Sequence, residues 1–240
     1  MGLFDKKYCD VCGDKIGLLG NRKLEDGNLC KECAKKLSPW FDERRHSTVD
    51  EIKAQLAYRE ENRDKVRSFH VTRTLGQFCK VLLDEDAKQF MVTASRNYEE
   101  ENPDVLSFSD VTGCIIDIDE SKTELKREDK DGNKVSYVPP RYTYRYTFRV
   151  IIHVNNPWFD DITFALGRGS VEGKASHEYR ELSEMGEEIK SVLTQTREAV
   201  REGIAADAAP KVAAICPACG ATTIPDANGC CEYCGSAMNA

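Results

Sequence analysis

The chain of 240 residues carries 34 Lys and Arg against 41 Asp and Glu, a formal net charge of −7, with 40% hydrophobic residues and a mean hydropathy of −0.53. That is too apolar for a disordered chain, yet no run approaches the ~20 apolar residues of a membrane span. The acidic balance excludes bulk coating of nucleic acid, and MGLFDKKYCD holds no apolar stretch of signal-peptide length, so a cytoplasmic protein is expected.

Residues 1–46 are too few and too polar to fold by burial alone. They contain two C-x-x-C pairs, Cys9/Cys12 and Cys30/Cys33, separated by 17 residues. A C-x-x-C loop lets two thiolates converge on one ion, and a second pair completes a closed tetrahedron, the geometry of structural zinc. Disulfides, a redox dithiol and an iron–sulfur centre are the alternatives. The doubled pairing without an export signal disfavours the first, and the lack of a flanking βαβ pattern disfavours the second. Between the pairs, KIGLLGNRKLEDGNLC reads as a hairpin turning at Asp26-Gly27. Cys30/Cys33 runs into AKKL, the start of a short helix that Ser38-Pro39 ends. Knuckle, hairpin and ligands at a helix start is the treble-clef order.

Residues 47–66 form a connecting helix, opened by a capping box from Thr48 to Glu51, with Ile52, Leu56 and Val66 as loosely spaced apolar positions. Residues 67–203 form the next domain, and over 67 to about 166 the period changes to that of strands. FCKVLLDEDAKQFMVTA gives two strands joined at DEDAK, LSFSDVTGCIIDID a strand pair or bent strand, and TELKREDKDGNKVSYV a turn at Asp131-Gly132-Asn133. The clearest alternation follows. Tyr142, Tyr144, Tyr146, Phe148, Val150, Ile152 and Val154 face one way, and Arg141, Thr143, Arg145, Thr147 and Arg149 the other. One core face and one water face are expected, with the tyrosines in the core. DITFALG adds a strand, and a helix over 176–203 is capped by Ser176, with Tyr179, Leu182, Met185, Ile189, Val192, Leu193, Thr196 and Val200 on one face. A β-rich region closed by one amphipathic helix suggests an α+β, pleckstrin-homology-like barrel or bent antiparallel sheet.

Residues 204–215 are small and Pro-interrupted, a linker. Residues 216–240 hold the second cysteine set, Cys216/Cys219 and Cys231/Cys234, with 11 residues between the pairs. The architecture is therefore a pleckstrin-homology-like domain flanked by two small zinc modules, with two zinc ions per chain. Cys230 is left out because Cys231/Cys234 has the better spacing. Cys79 and Cys114 fall in strand-like apolar patterns and read as core thiols.

The segment CDVCGDKIGLLGNRKLEDGNLCKECAKKLSPWF resembles the N-terminal zinc-ribbon module of an uncharacterised bacterial and phage family. In that family an IK-rich helix and a strand-rich, pleckstrin-homology-like region follow. Here DEIKAQLAYREEN and the stretch from FHVTRTLGQF to VLLDEDAKQFMV take those places. The terminal CPACGATTIPDANGCCEYCG resembles a generic zinc ribbon. The resemblance implies that Cys9, Cys12, Cys30 and Cys33 ligate one zinc, and it implies no activity.

No catalytic constellation is legible. LGRGSVEGKAS sits between a strand and a helix, but Arg168 stands where a phosphate loop needs glycine and Ala175 where it needs a hydroxyl. His46, His70, His153 and His177 are scattered, and Asp117, Asp119 and Glu120 read as a solvated turn. Arg141, Arg145 and Arg149 form a possible binding face, more simply a solvated one paired with carboxylates on neighbouring strands. With its tyrosines expected on the opposite side, that face lacks a stacking platform for RNA. Residues 1–46 hold ten Lys and Arg against eight Asp and Glu, and residues 200–240 two against four. Four thiolates with one zinc add −2 to each, so neither module has the positive charge of a nucleic-acid-reading finger. The middle region is also net negative, which argues against anionic lipid there. The expectation is a non-enzymatic interaction or adaptor protein with a protein partner, and nucleic-acid binding as the alternative.

Overall fold

The computed structural model describes residues 6–208, 213–226 and 229–238. Its contacts divide the chain into two units, Met1–Glu198 and Ala199–Ala240.

The first unit begins with short ladders. β1 (Lys7–Tyr8) pairs antiparallel with β2 (Lys15–Ile16), and β3 (Arg22–Lys23) with β4 (Asn28–Leu29). The expected hairpin is thus split: β2 turns back on β1, and only β3–β4 close at Asp26-Gly27, where Leu24 N–H donates to the Gly27 carbonyl at 2.9 Å. α1 (Lys31–Ala34) is one turn, and Ser38-Pro39 follow it. α2 (Val49–Ser68) starts at the expected capping box, with Thr48 and Glu51 each bonding the other's backbone N–H. Asp26 adds a second cap from outside the helix, accepting from Val49 N–H at 2.8 Å.

The buried stripe of α2 is Ile52, Gln55, Arg59, Asn62 and Val66. This is 3–4 spacing with polar residues in its middle. Its first end packs into the core of the N-terminal module, with Leu24, Leu29, Leu37 and the buried cysteines. Its last end packs with Phe69 against Leu82, Met91 and Val105 of the next sheet. α2 is therefore a bridge between two cores.

That sheet comprises β5 (Arg73–Leu75), β6 (Lys80–Asp84), β7 (Gln89–Thr93) and, after α3 (Tyr98–Glu101), β8 (Leu106–Ser107), antiparallel in the order β5-β6-β7-β8. Consecutive residues are buried along β6 and β7 because Leu82 and Met91 meet α2 while Phe90, on the other face, stacks on Phe108 at 6.2 Å.

The second sheet is built on a long hairpin, β9 (Val111–Glu128) and β10 (Lys134–Val154), with β11 (Asp161–Ala165) and β12 (Val171–Glu172) also paired to β10. Its register shifts between Ser136 and Arg141, where Pro139 and Pro140 cannot donate to the ladder. Tyr146, Phe148, Val150, Ile152 and Val154 are buried as the alternation requires. Tyr142 and Tyr144 are 42% and 36% exposed. The expectation that they build core is corrected: the hairpin outruns the helix that covers its base. That helix, α4 (His177–Ala208), is capped by Ser176, which accepts from Tyr179 N–H at 3.2 Å. Tyr179 stands edge-on to Tyr146 and Phe148, and Ile189 and Leu193 are fully buried.

Residues 67–203 thus hold two open four-stranded antiparallel sheets, the one-turn α3 and most of α4, with no closed barrel among the described residues. The chain is mixed α+β. α4 also continues through residues 204–208, expected as linker, because GIAADA contains nothing but a single glycine to stop it. Residues 209–212 lie outside the described residues. In the second unit, β13 (Ala214–Ile215) pairs with β14 (Thr222–Thr223). No helix among the described residues is long and apolar enough to cross a membrane.

Candidate metal centres

Cys9, Cys12, Cys30 and Cys33 converge, as do Cys216, Cys219, Cys231 and Cys234; within each group the sulfurs all lie within 4.8 Å of one another. Three of the four C-x-x-C loops share one backbone geometry. In each, the N–H of the residue after the second cysteine returns to the carbonyl of the first at 2.8 Å: Gly13 to Cys9, Gly220 to Cys216 and Gly235 to Cys231. The first cysteine's own N–H closes the loop onto Asp14, Ala221 or Ser236. That turn needs a left-handed residue, and the three glycines supply φ of 79°, 73° and 70°. The fourth loop differs because Cys30 is the N-cap of α1, its sulfur accepting from Cys33 N–H at 3.3 Å. Cys9 sulfur accepts from Cys30 N–H at 3.3 Å, which ties the knuckle to the helix.

Sulfur separations identify the chemistry. Cys12–Cys30 is 3.7 Å, Cys216–Cys234 3.6 Å and Cys219–Cys231 3.7 Å. A tetrahedron with metal–sulfur bonds of ~2.3 Å has edges of ~3.8 Å, whereas a disulfide needs ~2.05 Å. Both sets therefore fit one tetrahedral metal ion, with every position filled by sulfur.

The thiols in each set are unequal. Burial would raise Cys9, but N–H groups of Cys12, Cys30 and Val11 and the Cys12 thiol outweigh it and hold it near 7. Burial and the adjoining Cys30 and Cys12 push Cys33 strongly up. Cys234 falls to about 6 through the Ser236 hydroxyl and backbone N–H and the Cys219 thiol. Cys219 rises to about 12: Ala221 N–H opposes this, while Cys234 and burial prevail. Cys9 is thus favoured as thiolate over Cys12 and Cys33, and Cys234 over Cys219, and a divalent cation is the charge that suits several thiolates at once.

The cysteines left out of both sets are elsewhere. Cys79 and Cys114 are buried and pushed up to about 11 by that burial. Cys230 forms a backbone bridge with Ala237. The arginine face is engaged with its neighbours. Arg149 binds Asp117 at 2.7 Å, Arg145 lies 3.9 Å from Glu172, and Arg141 covers the Tyr137 ring at 4.8 Å. Asp117, Asp119 and Glu120, expected in a turn, lie mid-strand in β9, and Glu120 meets Lys174 of the glycine-rich segment at 3.6 Å. His153 meets Asp161 at 2.5 Å.

A buried polar junction went unread in the sequence. Arg59 pairs with Asp104 at 2.7 Å, and their side chains are 7% and 0% exposed. Arg59 also donates to the carbonyls of Lys36 and Asn102, Ser38 donates to Asp104 at 2.7 Å, and Asn62 donates to Pro103 and accepts from Val105 N–H. The network locks the end of the N-terminal module, α2 and the 102–105 loop together. AYREENRDK carries no local signal for it.

Residues 7–55 match the model of a family described as a domain of unknown function (DUF4428). No curated protein and no solved structure matches the chain. The matched stretch spans the first cysteine set and reaches past Ile52, which is fully buried in that module's core. An uncharacterised family module with a four-cysteine cluster thus occupies the N-terminus.

Proposed function

We propose that both cysteine sets hold structural zinc and that the chain is a non-enzymatic, cytoplasmic interaction or adaptor protein. The observation that carries this is the pair of complete all-sulfur tetrahedra. Four thiolates suit zinc, and a site with no open position binds no substrate. The role of the ions is to hold short segments rigid, so that their exposed side chains lose little entropy on meeting a partner. Two successive antiparallel sheets with a helix packed on the second support a pleckstrin-homology-like reading of residues 67–203, in an open rather than closed form.

Native mass spectrometry of the gently purified full chain tests the proposal. Two zinc ions with a co-purifying protein is the expected result. Fewer than two ions, or turnover lost on a single side-chain change outside the cysteine ligands, overturns it.

Nucleic-acid binding is the second reading. The exposed Tyr142 and Tyr144 favour it, with Lys122 3.9 Å from the Tyr142 ring centre. It requires salt-sensitive RNA or DNA binding that weakens on Tyr142→Ala or Arg145→Ala, and no binding at low salt rejects it.

A further inference from the structure

The most exposed apolar pair in the first unit is out of keeping with its place. Leu18 and Leu19 are 89% and 83% exposed, side by side at the apex between β2 and β3. The apex is a tight turn, closed by Gly20 N–H donating to the Gly17 carbonyl at 2.9 Å and braced by Arg22, whose guanidinium reaches the Leu19 carbonyl at 3.4 Å. The corners of such a turn favour Asn, Asp, Gly, Pro or Ser, which satisfy backbone groups or water. Two leucines there serve neither the turn nor the core of the module, whose apolar residues are Ile16, Leu24, Leu29, Leu37 and Ile52.

The apex is collared by cations. KIGLLGNRK, residues 15–23, holds three cations and no carboxylate, and β1, paired beside Lys15 and Ile16, adds Lys7. Lys31 lines the same cleft, of about 350 Å³, as Lys15 and the two leucines. The one carboxylate in that lining, Glu32, is held by Lys35 at 3.0 Å. Acids pair with only four lysines among the described residues, Lys35, Lys53, Lys174 and Lys190. Among the described residues none lies within ion-pair reach of Lys7, Lys15, Lys23 or Lys31.

We infer that this apex is a membrane-surface contact: Leu18 and Leu19 enter the acyl boundary of an anionic bilayer while Lys7, Lys15, Lys23 and Lys31 meet its phosphates. An apolar tip with unpaired cations beside it, Lys15 and Lys31 in the same cleft, matches both layers of such an interface. A protein groove would need acids placed against each lysine, whereas a lipid surface offers phosphate wherever the cation falls. The chain's net charge of −7 does not oppose this, since only charges within a Debye length of ~8 Å act on the headgroups, and the four lysine charges exceed the −2 of a filled cysteine set, whose Cys30 lines the cleft. The inference goes beyond the adaptor reading and does not depend on its protein partner.

The test is co-sedimentation of the full-length, metal-loaded chain with vesicles of equal parts phosphatidylcholine and phosphatidylglycerol, against phosphatidylcholine alone. Binding to the anionic vesicles that weakens as salt rises is expected. Leu18→Asp with Leu19→Asp should weaken it more than tenfold at unchanged metal content, and Lys15→Gln or Lys23→Gln by about fivefold each. Because the leucines support no core, these variants should keep the parent's circular dichroism. In a Leu18→Trp variant the added emission should shift to the blue on anionic vesicles only. No binding by the parent at low salt, equal binding to both vesicles, or full binding by the leucine variant overturns the inference. So does capture of a protein through the apex without any vesicle binding.

Discussion

The two cysteine modules use the same knuckle and differ in what stands behind it. The N-terminal set is backed by a core of Ile16, Leu24, Leu29, Leu37 and the fully buried Ile52 of α2. It is also fastened by Asp26 on the helix start and by the Arg59–Asp104 junction. The C-terminal set has a core of Cys216, Cys231 and Met238, with Ala214 against it. Two of those three buried residues are themselves ligands. A metal ion in the first module would complete a fold that side chains also support; in the second, among the described residues, it would have little other core behind it.

That contrast is open to direct attack. The largest effect is expected for Cys231→Ser, which removes most of a metal-binding free energy of roughly 10 kcal/mol or more from a module with little else. Amide exchange across residues 213–238 should then become unprotected, while the first unit is unchanged and one metal ion remains. Cys30→Ser should also release one ion, but with a graded outcome. Exchange should rise over residues 7–37 and into the first turns of α2, and stay slow around Val66, which packs in the next core. Equal collapse of both modules would show that the N-terminal core adds nothing.

Next comes Arg59→Ala, which leaves Asp104 buried without its partner. A loss of about 3–5 kcal/mol in urea unfolding of the first unit is expected, with both ions retained. Loss of a metal ion in this variant would mean that the junction, and not the core, holds the N-terminal set together. The smallest effect is expected for Cys230→Ser, with two ions bound as in the parent. Metal loss there would place Cys230 among the ligands.

Both cysteine sets were legible because C-x-x-C is a local device, closed in three of the four pairs by a following glycine. Three of the loops are closed by backbone hydrogen bonds spanning four or five residues, so spacing carries their geometry. The capping box at Thr48 and the cap at Ser176 were legible for the same reason. α2 was legible as a connecting helix, but its buried stripe was not, because that stripe holds Gln55, Arg59 and Asn62, residues that read as solvent-facing. The tyrosines of β10 show the converse. Alternation assigns Tyr142, Tyr144 and Tyr146 to one side of the strand, but only Tyr146 has α4 above it.

The sequence by itself determined the C-x-x-C pairs, the helix caps and the strand alternation, each set by residues within a few positions of one another, and with them the mixed α+β class. Only the tertiary structure decided which polar groups are buried, where the long hairpin leaves the core, and that two open sheets form instead of a barrel. The physical reason is separation along the chain. Arg59 and Asp104 are 45 residues apart and Ser38 and Asp104 are 66 apart, so their pairing is paid in chain entropy and recovered only when both cores have formed.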